Sequence, residues 1–288
     1  MCGGFVVTIT IVLLSMSKIG SKPVLVLIHG YLGGSLQFAA QSACFGHDFH
    51  VICPDLPGFG RNNAVVSPDT IAGFAEHVLA VLDSQGIHRF HLLGHSMGGM
   101  VAQEMAACAP GRVHRLILYG TGPVGNIPGR FESMQASKQR LAELGVEAHA
   151  RRISAKWFVD ADESPAYQAC ADIAVQTSPQ AAAAALCAME TWCGRHALVT
   201  ITSPTLVVWG EHDTSYLWPS PAELCHKIPG ARLSVVPGCA HAVHLEKPCV
   251  FNAIVLDFLR NQAIPGGQPR PDPAAGPPWL SSPSPSPL

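Results

Sequence analysis

Phe90-His91-Leu92-Leu93-Gly94-His95-Ser96-Met97-Gly98-Gly99-Met100 sets a serine between two glycines, directly after an apolar run and directly before a helix-forming stretch. The apolar run predicts a strand over 90–94 and the following residues a helix from Gly98 to Cys108. A Gly-x-Ser-x-Gly turn in that context is a nucleophile elbow, with a strained central residue and neighbours that must lack side chains. Ser96 Oγ then stands clear of the sheet at a helix N-terminus, whose amides and dipole favour a nearby oxyanion. The plainer reading, a glycine-rich turn without chemistry, loses ground to the partners found further along the chain.

A serine hydroxyl needs a base, and that imidazole needs a carboxylate to hold its tautomer. The order expected behind this elbow is serine, acid, histidine. Pro204 to Gly210 reads as a buried strand ending at Glu211-His212-Asp213, so both carboxylates fall on the rim of the sheet that carries Ser96. Arg232 to Gly238 reads as another short strand, followed by Cys239-Ala240-His241-Ala242-Val243-His244. His241 lies in the loop after that strand and is the expected base. His244, at the start of the closing helix, is its rival.

Strand-like runs at 24–28, 49–53, 90–94, 115–119, 205–209 and 232–236 alternate with helical patterns such as Ile71 to Asp83. This rhythm predicts a mostly parallel sheet with helices on both faces. It stops between Pro123 and His196, where no strand-like run occurs and Ala181 to Ala185 and repeated helical spacing predict a helical cap over 123–196. The core is then 1–122 and 197–260, with a proline- and serine-rich tail at 261–288 that cannot bury enough apolar surface to order itself. Phe131, Trp157, Phe158, Met189 and Trp192 are candidates for a substrate pocket, against the plainer alternative that they fill the cap's own core. Arg130, Arg151 and Arg152 are candidate carboxylate anchors or solvated surface residues.

From about residue 22 to residue 260 the chain resembles the serine-nucleophile branch of the α/β-hydrolase fold family, with its carboxylesterases and enol-lactonases. The resemblance rests on the elbow, on His29-Gly30-Tyr31-Leu32-Gly33-Gly34-Ser35 after the strand at 24–28, and on Asp55-Leu56-Pro57-Gly58-Phe59-Gly60. It implies that Asp213 is the acid, because the family pattern after the strand is Gly-x-x-Asp, with Glu211 as fallback. It also implies an oxyanion hole from the backbone N–H groups of Tyr31 and Met97, and a shape-setting role for the Asp55 turn. The activity implied is acyl transfer to water with no cofactor and no metal, on a small ester or lactone. Hydrolysis of a carbon–carbon bond in ring-cleavage products uses the same triad, but such enzymes usually carry Asn before the serine and Trp after the histidine, where this chain has His95 and Ala242. Cofactor-free haloperoxidase chemistry is a side reaction of such a triad. Epoxide hydrolysis and dehalogenation are disfavoured, because relatives doing them place aspartate where Ser96 stands. A non-catalytic small-molecule binder of the same fold is the alternative of another class.

The 288 residues are 48% hydrophobic with a formal net charge of −2, enough for one large core and without the basic stripe of a nucleic-acid binder. Phe5 to Leu14 is too short to span a membrane, lacks a positive n-region, and its β-branched residues fit an N-terminal strand, which favours a cytoplasmic protein over an exported one. The 10 cysteines show no paired spacing and are expected to be mostly buried thiols; Cys239, two positions from His241, is a site where alkylation would block the enzyme by bulk.

Overall fold

A computed structural model describes residues 22–261, so the proposed N-terminal strand within 5–14 and nearly all of the tail lie outside the described residues. Six strands form one sheet in the order β2-β1-β3-β4-β5-β6. They are β1 (Val24–Ile28), β2 (His50–Ile52), β3 (Phe90–His95), β4 (Val113–Tyr119), β5 (Thr205–Gly210) and β6 (Arg232–Val236). Every pairing is parallel. β1, β3 and β5 are buried at every position, as interior strands covered on both faces must be, whereas the edge strands β2 and β6 are only partly covered.

Alternation along the strands separates two cores. Val26, Ile28, Leu92, Leu116, Leu118 and Val207 face α2 (Ile71–Ser84) and α3 (Met97–Cys108). Leu25, Leu27, Leu93, Ile117, Tyr119 and Val208 face Phe45 of α1 (Ala39–Phe45) and Phe251, Val255 and Phe258 of the C-terminal helix. The period of two in a strand sends neighbours to opposite faces, so helices cover both sides.

Between β4 and β5 lie α4 (Met134–Ala155), α5 (Tyr167–Ala174) and α6 (Pro179–Thr191). Ser133 and Ser178 cap α4 and α6 by accepting from the amides of Ala136 and Ala181. α4 is broken at Gly145, whose φ of 74° suits glycine. The ends of the segment are tied together by the antiparallel bridge of Val124 with Cys193 and by Gly194 N donating to Pro123 O at 2.9 Å. Beyond β5 come α7 (Pro219–Lys227), the single turn α8 (Val243–Glu246) and α9 (Pro248–Arg260). Among the described residues, no helix is long and apolar enough to cross a membrane.

The cysteines depart from expectation. Cys170 and Cys239 are buried, but Cys108, Cys187, Cys193 and Cys249 are exposed, because outward faces and ends of elements tolerate a small thiol as well as the core does.

Phe74 of α2 is fully buried, with its ring 6.4 Å from Phe59. Phe74→Ala is expected to lower unfolding free energy by about 3–5 kcal/mol, read from the urea midpoint; a loss below about 1 kcal/mol would show that this layer is loosely packed.

Candidate active site

Ser96 joins β3 to α3 at φ 55°, ψ −120°, a conformation costly for a residue with a Cβ. The turn is held by Ser96 N donating to Tyr119 O at 2.9 Å and Thr121 Oγ1 donating to Ser96 O at 2.8 Å. A Cβ on Gly94 would stand 2.2 Å from Gly98 O, and one on Gly98 would stand 2.3 Å from Ile28 O. Both glycines are therefore demanded by close backbone approach.

His241, in the loop between β6 and α8, places Nδ1 2.9 Å from Asp213 Oδ2, and both side chains are buried. The other carboxylate oxygen of Asp213 accepts from the amides of Ser215 at 2.7 Å and Tyr216 at 3.1 Å. The acid is thus fixed by its own loop, and the imidazole is left with Nε2 for a proton transfer. The carbonyl of His241 accepts from Tyr119 Oη at 2.7 Å and from His95 Nε2 at 3.2 Å, which anchors the loop from below.

The rival residues have other partners. Glu211 lies on the partly exposed rim and accepts from Gly238 N at 3.0 Å. Burial and then the neighbouring His241 push the His244 imidazole down to about 3; its Nδ1 meets Tyr119 Oη at 3.1 Å. Asp55 accepts from the amide of Ser35 at 2.6 Å and from Arg61 Nε at 3.0 Å; burial opposes its ionisation, but these donors outweigh it and hold the carboxyl below its ordinary value. Each side chain holds a loop in place.

The loop after β1 passes directly against the serine, since a Cβ on Gly30 would lie 2.8 Å from Ser96 Cβ. His29 fixes this loop. Burial keeps its ring neutral, with Nδ1–H donating to Gly30 O at 2.8 Å and Nε2 accepting from Leu56 N at 2.9 Å. Gly33 N donates to the same Gly30 carbonyl at 3.0 Å. In a trans peptide the carbonyl and the next N–H point in opposite directions, so tethering Gly30 O sets the direction of the Tyr31 amide. Met97 supplies the first amide of α3. The Tyr31 side chain points elsewhere, its hydroxyl 3.3 Å from His149 Nε2.

Ser96, His241, Tyr31, Arg130, Trp157 and Met189 line one narrow cavity, completed by Met134, Ile153, Ser215 and Tyr216. Of the residues singled out in the helical segment, Trp157, Met189 and Arg130 line the cavity that Ser96 lines. Phe158 and Phe131 line a separate groove with Leu217 and Ala240, and Trp192 donates from Nε1 to Glu104 Oε1 at 2.6 Å on α3. Arg151 pairs with Glu147 at 3.4 Å and Arg152 with Glu132 at 2.7 Å. Cys239 is fully buried, and burial raises its thiol to about 11, so it is no target for alkylation. Tyr216 escaped the sequence reading. Its ring stacks on His241 at 5.7 Å with an interplanar angle of 14°, and its hydroxyl is directed at the Ser96 and Thr121 side chains. The available signal was its place on the loop that leaves Asp213.

The family model for the alpha/beta hydrolase fold matches residues 23–248. A protein of Pseudomonas savastanoi pv. phaseolicola named "Putative carbamate hydrolase RutD" is 28% identical over 246 residues, 83% of this chain and 95% of that one. The 2-hydroxy-6-oxo-6-phenylhexa-2,4-dienoate hydrolase of Burkholderia cepacia is 28% identical over 260 residues, 85% of this chain and 91% of the relative. Among solved structures, the enol-lactonase from Burkholderia xenovorans LB400 superposes with a TM-score of 0.78 at 28% identity, covering 85% of this chain and 94% of that chain.

Asp213→Asn is expected to lower kcat by roughly three to four orders of magnitude through loss of the imidazole tautomer, whereas Glu211→Gln changes it by less than about threefold. The reverse ranking in steady-state kinetics would move the acid to Glu211. Acid sensitivity follows from the buried imidazoles. Burial lowers His95 well below its ordinary value, His244 to about 3, and His91 and His149 to about 4. These groups are neutral when folded and take up protons on unfolding once the pH drops below about 6.5, so stability is full above that value and is lost on acidification. Between pH 7 and pH 5, fully buried His244 alone contributes a loss of up to about 2 kcal/mol. A urea midpoint equal at the two values would contradict this.

Proposed function

Because the chain belongs to the alpha/beta hydrolase fold family, we propose that it is a serine hydrolase cleaving small carboxylic esters or lactones through an acyl-enzyme on Ser96. The observation that carries this reading is the sharing of one small cavity by a serine on a strained turn and a histidine whose Nδ1 lies 2.9 Å from a buried carboxylate. In this reading His241 Nε2 takes the Ser96 proton as Oγ attacks the carbonyl, and the Tyr31 and Met97 amides receive the oxyanion. The imidazolium, oriented by Asp213, then protonates the leaving alcohol or, in a lactone, the ring oxygen that stays tethered. Water activated by the same imidazole releases the acid. Tyr216 acts on His241 by stacking, an aromatic face favouring the transient cation.

The segment 123–196 acts as a cap that closes over the scissile bond and excludes water from the oxyanion. Its contribution is carried by Trp157, whose carbonyl accepts from Ala242 N at 2.9 Å and so joins the segment to the histidine loop. The carbon–carbon reading is supported by the relative from Burkholderia cepacia and weakened by His95 and Ala242.

The deciding comparison is hydrolysis of short p-nitrophenyl esters and simple lactones, with a carbamate and a ring-cleavage dienoate beside them, by wild type and Ser96→Ala. Ester or lactone turnover should fall by at least about three orders of magnitude in the variant, and a fluorophosphonate should label wild type at Ser96 alone. Turnover confined to the dienoate would transfer the assignment to carbon–carbon hydrolysis. Absence of both labelling and turnover in folded protein would leave a binding protein.

A further inference from the structure

Arg130 is the one lysine or arginine among the residues lining the serine cavity, and it is half-buried there. A guanidinium offers five N–H donors. Those of Arg130 make only two long contacts, both from Nη1 at 3.5 Å, to Glu132 O and Met134 Sδ, while its plane lies over Phe131 at 4.6 Å. Among the described residues no carboxylate lies within 4.0 Å of it. The nearby Glu132 is already engaged, by Arg152 at 2.7 Å, by Arg140 at 3.3 Å and by the Ser137 hydroxyl. Two guanidinium groups, of Arg152 and Arg140, thus already share that carboxylate, and Nε of Arg152 is buried with no hydrogen-bond partner. Burial lowers the Arg130 guanidinium, offset in part by Tyr216 and Glu132, without removing its charge. A half-buried cation with spare donors and no carboxylate in ion-pair contact is stabilised by whatever anion enters beside it.

We propose that the substrate is a short ester or lactone bearing a carboxylate, which Arg130 holds while Ser96 attacks the carbonyl at the other end of the same molecule. The proposal rests on the hydrolase reading and narrows it: Arg130 fixes which end of the substrate faces the oxyanion amides, and Trp157 and Met189 cover the apolar middle.

The test uses a shape-matched pair, 4-nitrophenyl hydrogen succinate and 4-nitrophenyl 4-methylpentanoate, in which a carboxylate replaces an isopropyl group. In wild type the kcat/KM ratio, charged over neutral, is expected to exceed roughly ten, and to fall by roughly tenfold or more in Arg130→Gln, chiefly through KM. Arg130→Lys, which keeps the charge but not the fork, should retain part of the ratio. A wild-type ratio at or below one, or a ratio unmoved by Arg130→Gln, overturns the proposal. A second measurement needs no turnover: calorimetric titration of monomethyl succinate into Ser96→Ala and into the Ser96→Ala/Arg130→Gln double variant. Binding at least roughly tenfold weaker in the double variant supports the anion site, and equal or absent binding in both overturns it. Should neither ester turn over and no fluorophosphonate label Ser96, the hydrolase reading has failed, and the calorimetry alone still decides the role of Arg130.

Discussion

The close approach of three backbone segments around Ser96 is the constraint on which the remaining geometry depends. Gly94 and Gly98 leave no room for a Cβ against each other or against the carbonyls of Ile28 and His29, and Gly30 lies equally close to Ser96 itself. β1, β3 and the start of α3 therefore interlock at one point. The positive φ at Ser96 follows from that interlock and from the hydrogen bond to Tyr119 O on β4, the next strand over. A strained residue persists only where its surroundings over-determine it. Here three adjacent parallel strands, β1, β3 and β4, do so, and the parallel sheet sends the loops that carry Asp213 and His241 to the same rim.

Three imidazoles crowd below the serine, with His95 4.6 Å from His241 and 5.2 Å from His244. Only His241 has a carboxylate partner. His95 and His244 are desolvated, and each would meet a second positive charge if protonated, so both stay neutral. Their neutrality gives them defined donors: His95 Nε2 and Tyr119 Oη both engage the carbonyl of His241. Asp213 thus singles out one imidazole of the cluster by pairing with it, while the others hold the backbone from which it hangs.

What was legible in the sequence follows the range of the interactions concerned. Strands buried on both faces announce themselves as unbroken apolar runs, which is why Val24–Ile28 coincides with the expected limits, while the edge strand His50–Ile52 is shorter than its run suggested. Ser96, Asp213 and His241 stand at strand ends, and a parallel sheet brings strand ends together whatever the loop lengths. The pocket wall obeys no such rule. Phe158 adjoins Trp157 in the chain yet turns to a separate groove, and Trp192 turns away to Glu104. Tyr216 carried no motif because its position is set by the two amides that Asp213 holds.

The shape of the cavity depends on one break in one helix. Met134 and Ile153 lie near opposite ends of α4, and both line the serine cavity. In a straight helix, at 1.5 Å per residue, they would be separated by about 28 Å along the axis, much too far to wall one narrow cavity. Gly145, at φ 74° and ψ 170°, divides α4 and lets its two halves converge. The second half then delivers Trp157 to His241 at a ring separation of 6.3 Å. A residue with a Cβ at 145 would meet no neighbouring atom but would resist the left-handed conformation. The sequence feature that governs the pocket is therefore a glycine at least two helical turns from any side chain it positions, and its effect is exerted through backbone direction alone.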